Sequence, residues 1–417
     1  MELIEITQQF PEQRLEDIEA AVKEEVGVHL QEQQFPAGSR IAITAGSRGI
    51  YGIDRMLAYT VETVKQFGCV PFLVPAMGSH GGATAEGQRS VLEHLGITEE
   101  TSGAEILSSM EVAHVADTAN GIPAYMDKNA YQADGIIAIN RIKAHTAFRG
   151  SVESGLSKMV AIGLGKIKGA AFIHSHGSLQ MEGNIKDICR TCLEKAPPIM
   201  GIGIVENAFD QTAIIEAVRK EQWFEEEAEL LKLSKQLMPS LPVKELDVLI
   251  VEEMGKNYSG TGMDPNIIGR WRIDGVPEPV SPVIRRIAAL ELSKESFGNA
   301  QGVGLVDFIT QALFDTIDRH TTYTNALTST YLRRAMIPFI YETEQKAVET
   351  ALNSLSAEDT DTLKYIQVPN TLHLHRLYVS PAVLQEMESQ RLSFDTGEHF
   401  TLSFTDEGRL SRRLLRP

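Results

Sequence analysis

Short apolar segments alternate with helical segments through the first half of the chain, and this alternation constrains the fold more than any other feature. The strand-like runs are IAITAG (41–46), CVPFLVPA (69–76) and GIIAIN (135–140). Helical patterns separate them, one being DRMLAYTVETVKQFG (54–68) and another beginning after Thr84, which is a good helix N-cap. Buried strands that alternate with helices predict βαβ units and a parallel sheet.

A second alternating set follows a charge-rich helix that runs into Pro239 and Pro242. The pattern predicts strands at 246–255 and 302–308, a helix at 281–296, mostly helix over 309–355, and further strands in YIQVPN, RLYVS and HFTLSFTD. A chain of 417 residues exceeds the usual size of one hydrophobic core. We therefore expect two α/β domains, 1–242 and 243–417, each with a mostly parallel sheet flanked by helices, and we expect roughly the last twenty residues to pack back on the first domain.

The charge balance excludes some classes of partner. With 39 Lys and Arg against 56 Asp and Glu, the formal net charge is −17, which argues against a nucleic-acid surface or an anionic membrane as partner. No apolar run approaches the roughly 20 residues of a membrane span, and MELIEITQQF lacks the basic start of a signal peptide. Three cysteines are too few for a disulfide scaffold. We expect a cytoplasmic protein, and a homo-oligomer stays open.

Polar side chains follow the predicted strands of the first half. Arg48 follows the first strand, His80 the second, and Arg141 and His145 the third. Because ligands of open α/β sheets bind beyond the carboxyl ends of the strands, these side chains predict a site on one edge. His80 lies between glycines and suits acid/base chemistry, although an exposed loop histidine or a helix cap fits the same pattern. Arg48 suits a carboxylate or phosphate.

The segment after His145 holds further candidates with two interpretations each. Lys158 precedes an apolar run, so it is either a desolvated, nucleophilic amine or a lysine that reaches the surface. The element GLGKIKGAA (163–171) is either a phosphate cradle or a glycine-rich turn between packed segments. His174 and His176 suit nickel, copper, zinc or iron, but two histidines do not define a site. In the second half, 255–272 and 319–329 are either ligand-contacting or ordinary surface segments.

Several of these motifs together resemble the nickel-dependent lactate racemase family and its 2-hydroxy-acid racemase and epimerase relatives. The resemblance lies in GSHGGATAEGQ, in NRIKAH followed by GLSKMVAIG, and in HSHG, within about 41–180, with weaker similarity in GTGMDPN and TTYTNALTS. It implies two α/β domains with the active site in the cleft between them. It also implies a nickel-pincer nucleotide as cofactor, cofactor-synthesis proteins as partners, and a lysine that commonly tethers the cofactor.

The resemblance assigns a role to each candidate residue. His80 and His145 become the acid/base pair, Lys158 the tether, and His174, sixteen positions after Lys158, the nickel ligand, with His176 as the alternative. The cofactor would lie near Arg48, Gly163, Gly165 and Lys166. The substrate would lie near Arg141, Lys256, Asp264 and Asn266.

Three positions depart from the family pattern. Ala45 stands where lactate-specific members have an acidic residue, and Gly81 stands where they tend to have arginine. The interval from His145 to Lys158 is longer than theirs by about three residues. These departures affect the substrate pocket and the tether. The identity of the 2-hydroxy acid and the covalent attachment of the cofactor therefore stay open.

The implied activity is racemisation or epimerisation of a 2-hydroxy acid by reversible hydride transfer from its α carbon to the cofactor. This route avoids a very basic carbanion beside a carboxylate. A planar 2-keto acid accepts hydride on either face, so two stereoisomers need two proton-handling imidazoles. One alternative is an NAD-type oxidoreductase, which the absence of GxGxxG after the first strand disfavours. The other is a noncatalytic protein that binds nickel or a nucleotide cofactor.

Overall fold

Parallel strands flanked by helices form the centre of both halves of the protein, which confirms the predicted α/β class. The computed structural model describes residues 1–175, 177–355 and 362–415. The chain divides into two units. The first, here called the N-terminal unit, is Glu12–Met238, and the second, here called the C-terminal unit, combines Met1–Pro11 with Pro239–Pro417.

The N-terminal unit is a six-stranded sheet with helices on its faces and a separate two-stranded ribbon. Its strands are β2 Arg40–Ala45, β3 Val70–Pro75, β4 Glu105–Ile106, β5 Val112–Asp117, β6 Pro123–Asp127, β7 Gly135–Arg141, β8 Ile199–Glu206 and β9 Thr212–Val218, numbered after β1 Glu2–Gln8 of the C-terminal unit. Its helices are α1 Ile18–Gln33, α2 Ile53–Gln66, α3 Ala85–His94, α4 Glu99–Ser102, α5 Lys128–Tyr131, α6 Leu156–Lys158, α7 Lys166–Ser175, α8 Ser178–Lys195 and α9 Trp223–Leu237. A turn of π-helix, Met159–Gly163, joins α6 to α7.

The strand order of the six-stranded sheet is β4-β3-β2-β7-β8-β9, with β9 antiparallel and the other strands parallel. The buried apolar residues of β2, β3 and β7 pack against helices on both faces, as continuous apolar runs predict. Thr84 caps α3, since its hydroxyl accepts the N–H of Gly87 at 3.0 Å. The three strands and the cap predicted from the sequence are thus present.

The C-terminal unit contains an eight-stranded sheet of order β13-β12-β11-β10-β14-β15-β1-β16. Its remaining strands are β10 Glu245–Met254, β11 Val283–Leu292, β12 Phe308–Thr310, β13 Phe339–Tyr341, β14 Tyr365–Val368, β15 Arg376–Val379 and β16 Phe394–Thr401. Its helices are α10 Pro265–Ile268, α11 Gln311–Asp315, α12 Arg319–Ser329, α13 Glu344–Asn353 and α14 Pro381–Ser389. Within the described part of the chain, no helix combines the length and apolar character that crossing a membrane requires.

Segment 281–296 is not the predicted helix but contains strand β11. This strand pairs in parallel with β10 on one side and β12 on the other. Ile287, Ala288 and Ala289 are fully buried between layers of side chains. A strand buried on both faces has no alternating pattern, so an apolar run with two arginines at its start is easily mistaken for a helix. Segment 302–308 contains the short 3₁₀ turn Val303–Leu305, and β12 begins only at Phe308.

The domain boundaries differ from the predicted 1–242 and 243–417 mainly at the N-terminus. The C-terminal unit begins at Pro239, but it also includes β1, which lies between β15 and β16. Leu3, Ile4 and Ile6 of β1 are buried in the core of that unit. The last described residues also belong to it, and the predicted packing of the tail on the first domain stays a prediction. Pairing of β1 with strands almost 400 positions away leaves no local trace in the sequence.

Candidate active site

Three loops that carry candidate residues begin at neighbouring positions on one edge of the six-stranded sheet. Strand β2 lies between β3 and β7, and all three are parallel. His80 follows β3, Arg48 follows β2, and His145 follows β7, which ends at Arg141. Their order along this edge is therefore His80, Arg48, then Arg141 and His145. The strand pattern predicted this arrangement, and it is the position at which α/β proteins bind ligands.

Lys158 ends helix α6, immediately before the π-helical turn. The side-chain amide of Asn140, in β7, donates to the carbonyl of Gly155 at 2.8 Å and so ties the start of this segment to the sheet edge. Burial first, and then the positive charges of Arg48 and Lys143, together lower the pKa of the Lys158 amine to about 8. An amine with this pKa is partly neutral near pH 8 and therefore nucleophilic. π-Helical turns are rare in proteins, and those that occur are often found at functional sites.

Positive charge dominates the surroundings of Lys158. Arg48 and Lys143 act on Lys158, and Arg141 acts on Arg48, whose pKa is lowered by desolvation first and by Arg141 second. Glu206 forms an ion pair with Arg141, and its other oxygen accepts the N–H of Tyr51 at 2.8 Å. This carboxylate holds Arg141 at the end of β7. The arrangement of several cations at one edge suits an anionic ligand.

A buried carboxylate fixes the His145 loop. Glu153 is 1% exposed, and its Oε2 accepts the backbone N–H of His145 at 2.6 Å while Lys235 donates to Oε1 at 2.7 Å. The imidazole is half-buried and lies 4.3 Å from the ring of Phe148, centre to centre. Its Nδ1 accepts the N–H of Ala147 at 3.1 Å. A neutral ring with an accepting Nδ1 carries its proton on Nε2.

His80 is exposed on a loop that only glycine-rich sequence can form. Gly78, Gly81 and Gly82 have φ values of 60°, 65° and 63°, in the left-handed region that favours glycine. A Cβ atom on Gly81 would lie 2.5 Å from the carbonyl carbon of Gly87, so the loop also touches the backbone of α3. The glycines that flank His80 are therefore required by the loop conformation.

Lys166, Gly163 and Gly165 contact other residues in the interior of the protein. Lys166 is fully buried and forms an ion pair with Asp127 at 3.1 Å. A Cβ atom on Gly163 would lie 2.6 Å from the carbonyl oxygen of Ala76, and one on Gly165 would lie 2.5 Å from that of Ala161. The second interpretation of this element, a glycine-rich turn between packed segments, accounts for these contacts. The proposed proximity of the three residues to a cofactor stays a prediction.

The metal-ligand candidates are the least described part of the site. His176 lies outside the described residues, and of His174 the structure describes the backbone, which belongs to α7. Among the side chains that the structure does describe, no three His, Cys, Asp or Glu residues gather as a metal site. The assignment of His174 as a nickel ligand, with His176 as the alternative, therefore stays a prediction.

The remaining candidates lie in the C-terminal unit. Asp264 caps α10, since its Oδ1 accepts the N–H of Asn266 at 2.9 Å and the Asn266 side-chain amide at 2.7 Å. The ammonium of Lys256 donates to the carbonyl of Gly260 at 2.8 Å and to Oδ1 of Asn325 at 2.8 Å. Segments 255–272 and 319–329, both singled out from the sequence, are thus joined by Lys256. Contact of these residues with a substrate is untested.

Glu227 is a site residue that the sequence pattern does not reveal at first reading. It is 1% exposed and accepts the N–H of Ser157, beside Lys158, at 3.0 Å. Burial raises the pKa of this carboxyl to about 7. It lies in the acidic run EEEAEL, which is typical of a solvated helix face. Its spacing from Trp223, Leu230 and Ser234 nevertheless places it on the buried face of α9. This spacing is the feature of the sequence from which its burial could have been predicted.

The fold and the sheet edge define a two-unit α/β protein with a cationic, histidine-bearing candidate site. Residues 3–185 match the family model of the lactate racemase N-terminal domain. The N-terminal region of the chain is therefore similar to the N-terminal domain of lactate racemases.

Two solved structures are similar in fold. The lactate racemase apoprotein from Thermoanaerobacterium thermosaccharolyticum aligns with a TM-score of 0.53 and 13% identity, over 89% of this chain and 99% of the other. A Thermotoga maritima protein aligns with a TM-score of 0.49 and 12% identity, over 68% of this chain and 72% of the other. The first likeness shows a shared fold. No curated protein matches the sequence.

Proposed function

We propose that this protein racemises or epimerises a 2-hydroxy acid and uses a nickel-pincer nucleotide to do so. The proposal is supported by the match of residues 3–185 to the lactate racemase N-terminal domain and by one observation above all. A lysine with a pKa of about 8, among Arg48 and Lys143, shares a sheet edge with two loop histidines, His80 and His145.

The residues at this edge fit such a cofactor. A pyridinium nucleotide carries a phosphate and acidic groups, for which Arg48 and Lys143 supply positive charge. The partly neutral amine of Lys158 suits attachment of an acyl or thioacyl group. His174 would bind nickel through its imidazole. When bound, the cofactor would supply a hydride acceptor for the α carbon of the substrate, and cofactor-synthesis proteins would be partners of this chain.

The residues of the chain would bind the substrate and handle its hydroxyl proton. A guanidinium at Arg141 or Arg48 matches the two oxygens of a carboxylate. His80 and His145 would take up and return the hydroxyl proton of the two stereoisomers, one for each orientation of the hydroxyl group. A neutral His145 whose Nδ1 accepts the Ala147 N–H presents Nε2–H as a donor. Proton uptake at its Nε2 would therefore require release of that hydrogen bond.

The test is to express the protein together with cofactor-synthesis proteins and to follow interconversion of a panel of enantiopure 2-hydroxy acids by chiral chromatography. His80→Ala and His145→Ala are each expected to abolish turnover and to retain near-normal nickel. Loss of nickel on replacing His80, with none on replacing His174, would contradict the assignment. Fully loaded protein that exchanges no substrate across the panel would favour the noncatalytic alternative, a nickel- or nucleotide-cofactor-binding protein.

A further inference from the structure

A chain of contacts leads from a buried ion pair to the backbone of His80. The Lys166 ammonium binds Asp127 at 3.1 Å, Oε1 of Gln88 at 3.0 Å, and the carbonyl of Pro75. The amide nitrogen of the same Gln88 donates to the carbonyls of Gly78 at 2.9 Å and His80 at 3.4 Å. Gln88 therefore receives a hydrogen bond from Lys166 on one side and holds the His80 loop on the other.

The ion pair is costly to bury. Lys166 and Asp127 are both 0% exposed, and burial lowers the pKa of the lysine and raises that of the aspartate. A buried pair is often replaceable by apolar side chains without loss of stability. Stability alone is thus a weak reason for a lysine at this position. A role in fixing one conformation of a neighbouring segment is the better physical reason.

The His80 loop needs external support. Gly78, Gly81, Gly82 and Ala83 all have left-handed backbone conformations. Residues without a side chain have many alternative conformations, so a loop of this composition is not held by its own preferences. Anchors to neighbouring elements include the N–H of Gly78, which donates to the carbonyl of Gly163 at 3.2 Å, and the two hydrogen bonds from Gln88.

We propose that Lys166, acting through Gln88, is a positioning residue that fixes the orientation of His80 at the sheet edge. This inference rests on the proposed acid/base role of His80. Lys166 would then contribute to the site by positioning His80, without itself contacting cofactor or substrate. Gln88 connects Lys166 to the His80 loop, because its side chain contacts both the ammonium group of Lys166 and the carbonyls of Gly78 and His80.

The central variant is Gln88→Glu. The carboxylate can still accept from Lys166, but it cannot donate to the carbonyls of Gly78 and His80, and it places negative charge against them. A second change, Lys166→Met with Asp127→Asn, removes the ion pair as a unit and leaves no single buried charge. The matched control is Gln367→Leu, which removes a glutamine of the C-terminal unit that is 1% exposed and binds Glu252 at 2.7 Å.

One measurement needs no turnover. Modification of His80 by diethyl pyrocarbonate is followed by mass spectrometry in the full chain without cofactor, with the exposed His114 as internal reference. We expect the ratio of the His80 rate to the His114 rate to change at least roughly threefold in Gln88→Glu and in the double variant, and to stay constant in Gln367→Leu. An unchanged ratio overturns the proposal. An equal change at both histidines also overturns it, because that result reports general loosening.

The second measurement uses cofactor-loaded protein. We expect Gln88→Glu to lower kcat at least about tenfold, with KM changed less than about twofold and nickel content constant. Equal losses in kcat and nickel would assign Gln88 to cofactor binding and overturn the positioning role. If wild-type protein shows no racemisation, the proposed function fails, and the modification ratio alone decides whether Lys166 and Gln88 orient His80.

Discussion

The carboxyl group of Glu227 accepts the backbone N–H of Ser157 at 3.0 Å, at the first turn of the helix that ends at Lys158. The indole N–H of Trp223 donates to the hydroxyl of the same serine at 3.1 Å. A Cβ atom on Gly155 would lie 2.2 Å from Oε1 of Glu227, so a larger residue there would displace the Glu227 carboxyl group. The start of the lysine-bearing segment is therefore held by a buried acid of α9.

Glu227 predicts a pH dependence of stability. Its pKa rises from 4.5 to about 7 on folding because of burial, so the folded state holds this proton where the unfolded state has lost it. The stability it contributes is present below pH 4.5 and is lost as pH rises through about 7, by on the order of 3 kcal/mol at most. Urea unfolding between pH 5 and 8 should show this loss, and Glu227→Gln should reduce it.

The control for this prediction is a carboxyl group outside the cluster. Glu407 is exposed, so Glu407→Gln should leave the pH dependence of the wild-type protein in place. Identical pH slopes for wild type and Glu227→Gln would show that Glu227 is ionised in the folded protein throughout this range. The raised pKa would then be wrong.

Lys158 should react as an amine with a pKa of about 8. Acylation rates measured against pH by mass spectrometry, with exposed Lys232 as reference, give this value directly. Removal of a neighbouring positive charge should raise the pKa, so Arg48→Gln is expected to shift the profile of Lys158 to higher pH. A profile that is the same in both proteins would show that Arg48 does not act on the amine.

Gly163 should not tolerate a methyl group. Gly163→Ala places Cβ against the carbonyl oxygen of Ala76 and the sulfur of Met159, so a destabilisation of about 1–3 kcal/mol is expected. The matched change is Gly183→Ala in α8, where nothing lies within 4 Å of the added carbon. Helix propensity predicts that this second variant is more stable than wild type by up to about 1 kcal/mol. Thermal unfolding of the two variants gives the comparison, and equal effects would contradict the packing argument.

Glu153 and Lys235 together hold the His145 loop, and replacing the buried Glu153 should destabilise the protein more than replacing the half-exposed Lys235. Glu153→Gln replaces one acceptor oxygen of a buried carboxylate by an NH2 group, which faces the N–H groups that the oxygen had accepted from. We expect the free energy of unfolding to fall by about 1–3 kcal/mol and turnover to be reduced. Lys235→Met removes a half-exposed partner and should cost about 1 kcal/mol or less. Denaturant titration of both proteins tests this order, and a larger loss from Lys235→Met would reverse the assignment.

Much of the site was predictable because it depends on strand ends. The runs before Arg48, His80 and Arg141 are continuous and apolar, which is the pattern of parallel strands buried on both faces. Their adjacency followed from the rules of α/β topology. The helical error at 281–296 has the same origin, because β11 is also buried on both faces and shows no strand periodicity.

The sequence by itself determined the α/β class, the strand ends that present Arg48, His80 and His145, and the family resemblance, because these depend on local pattern and short spacing. Only the tertiary structure decided that β1 joins the C-terminal unit, that Lys166 faces Asp127 inside the protein, and that Glu227 holds the segment before Lys158. The physical reason is that such contacts join residues about 40 to 400 positions apart. Burial and pairing, which set whether a lysine binds a ligand or an internal carboxylate, are properties of the packed chain.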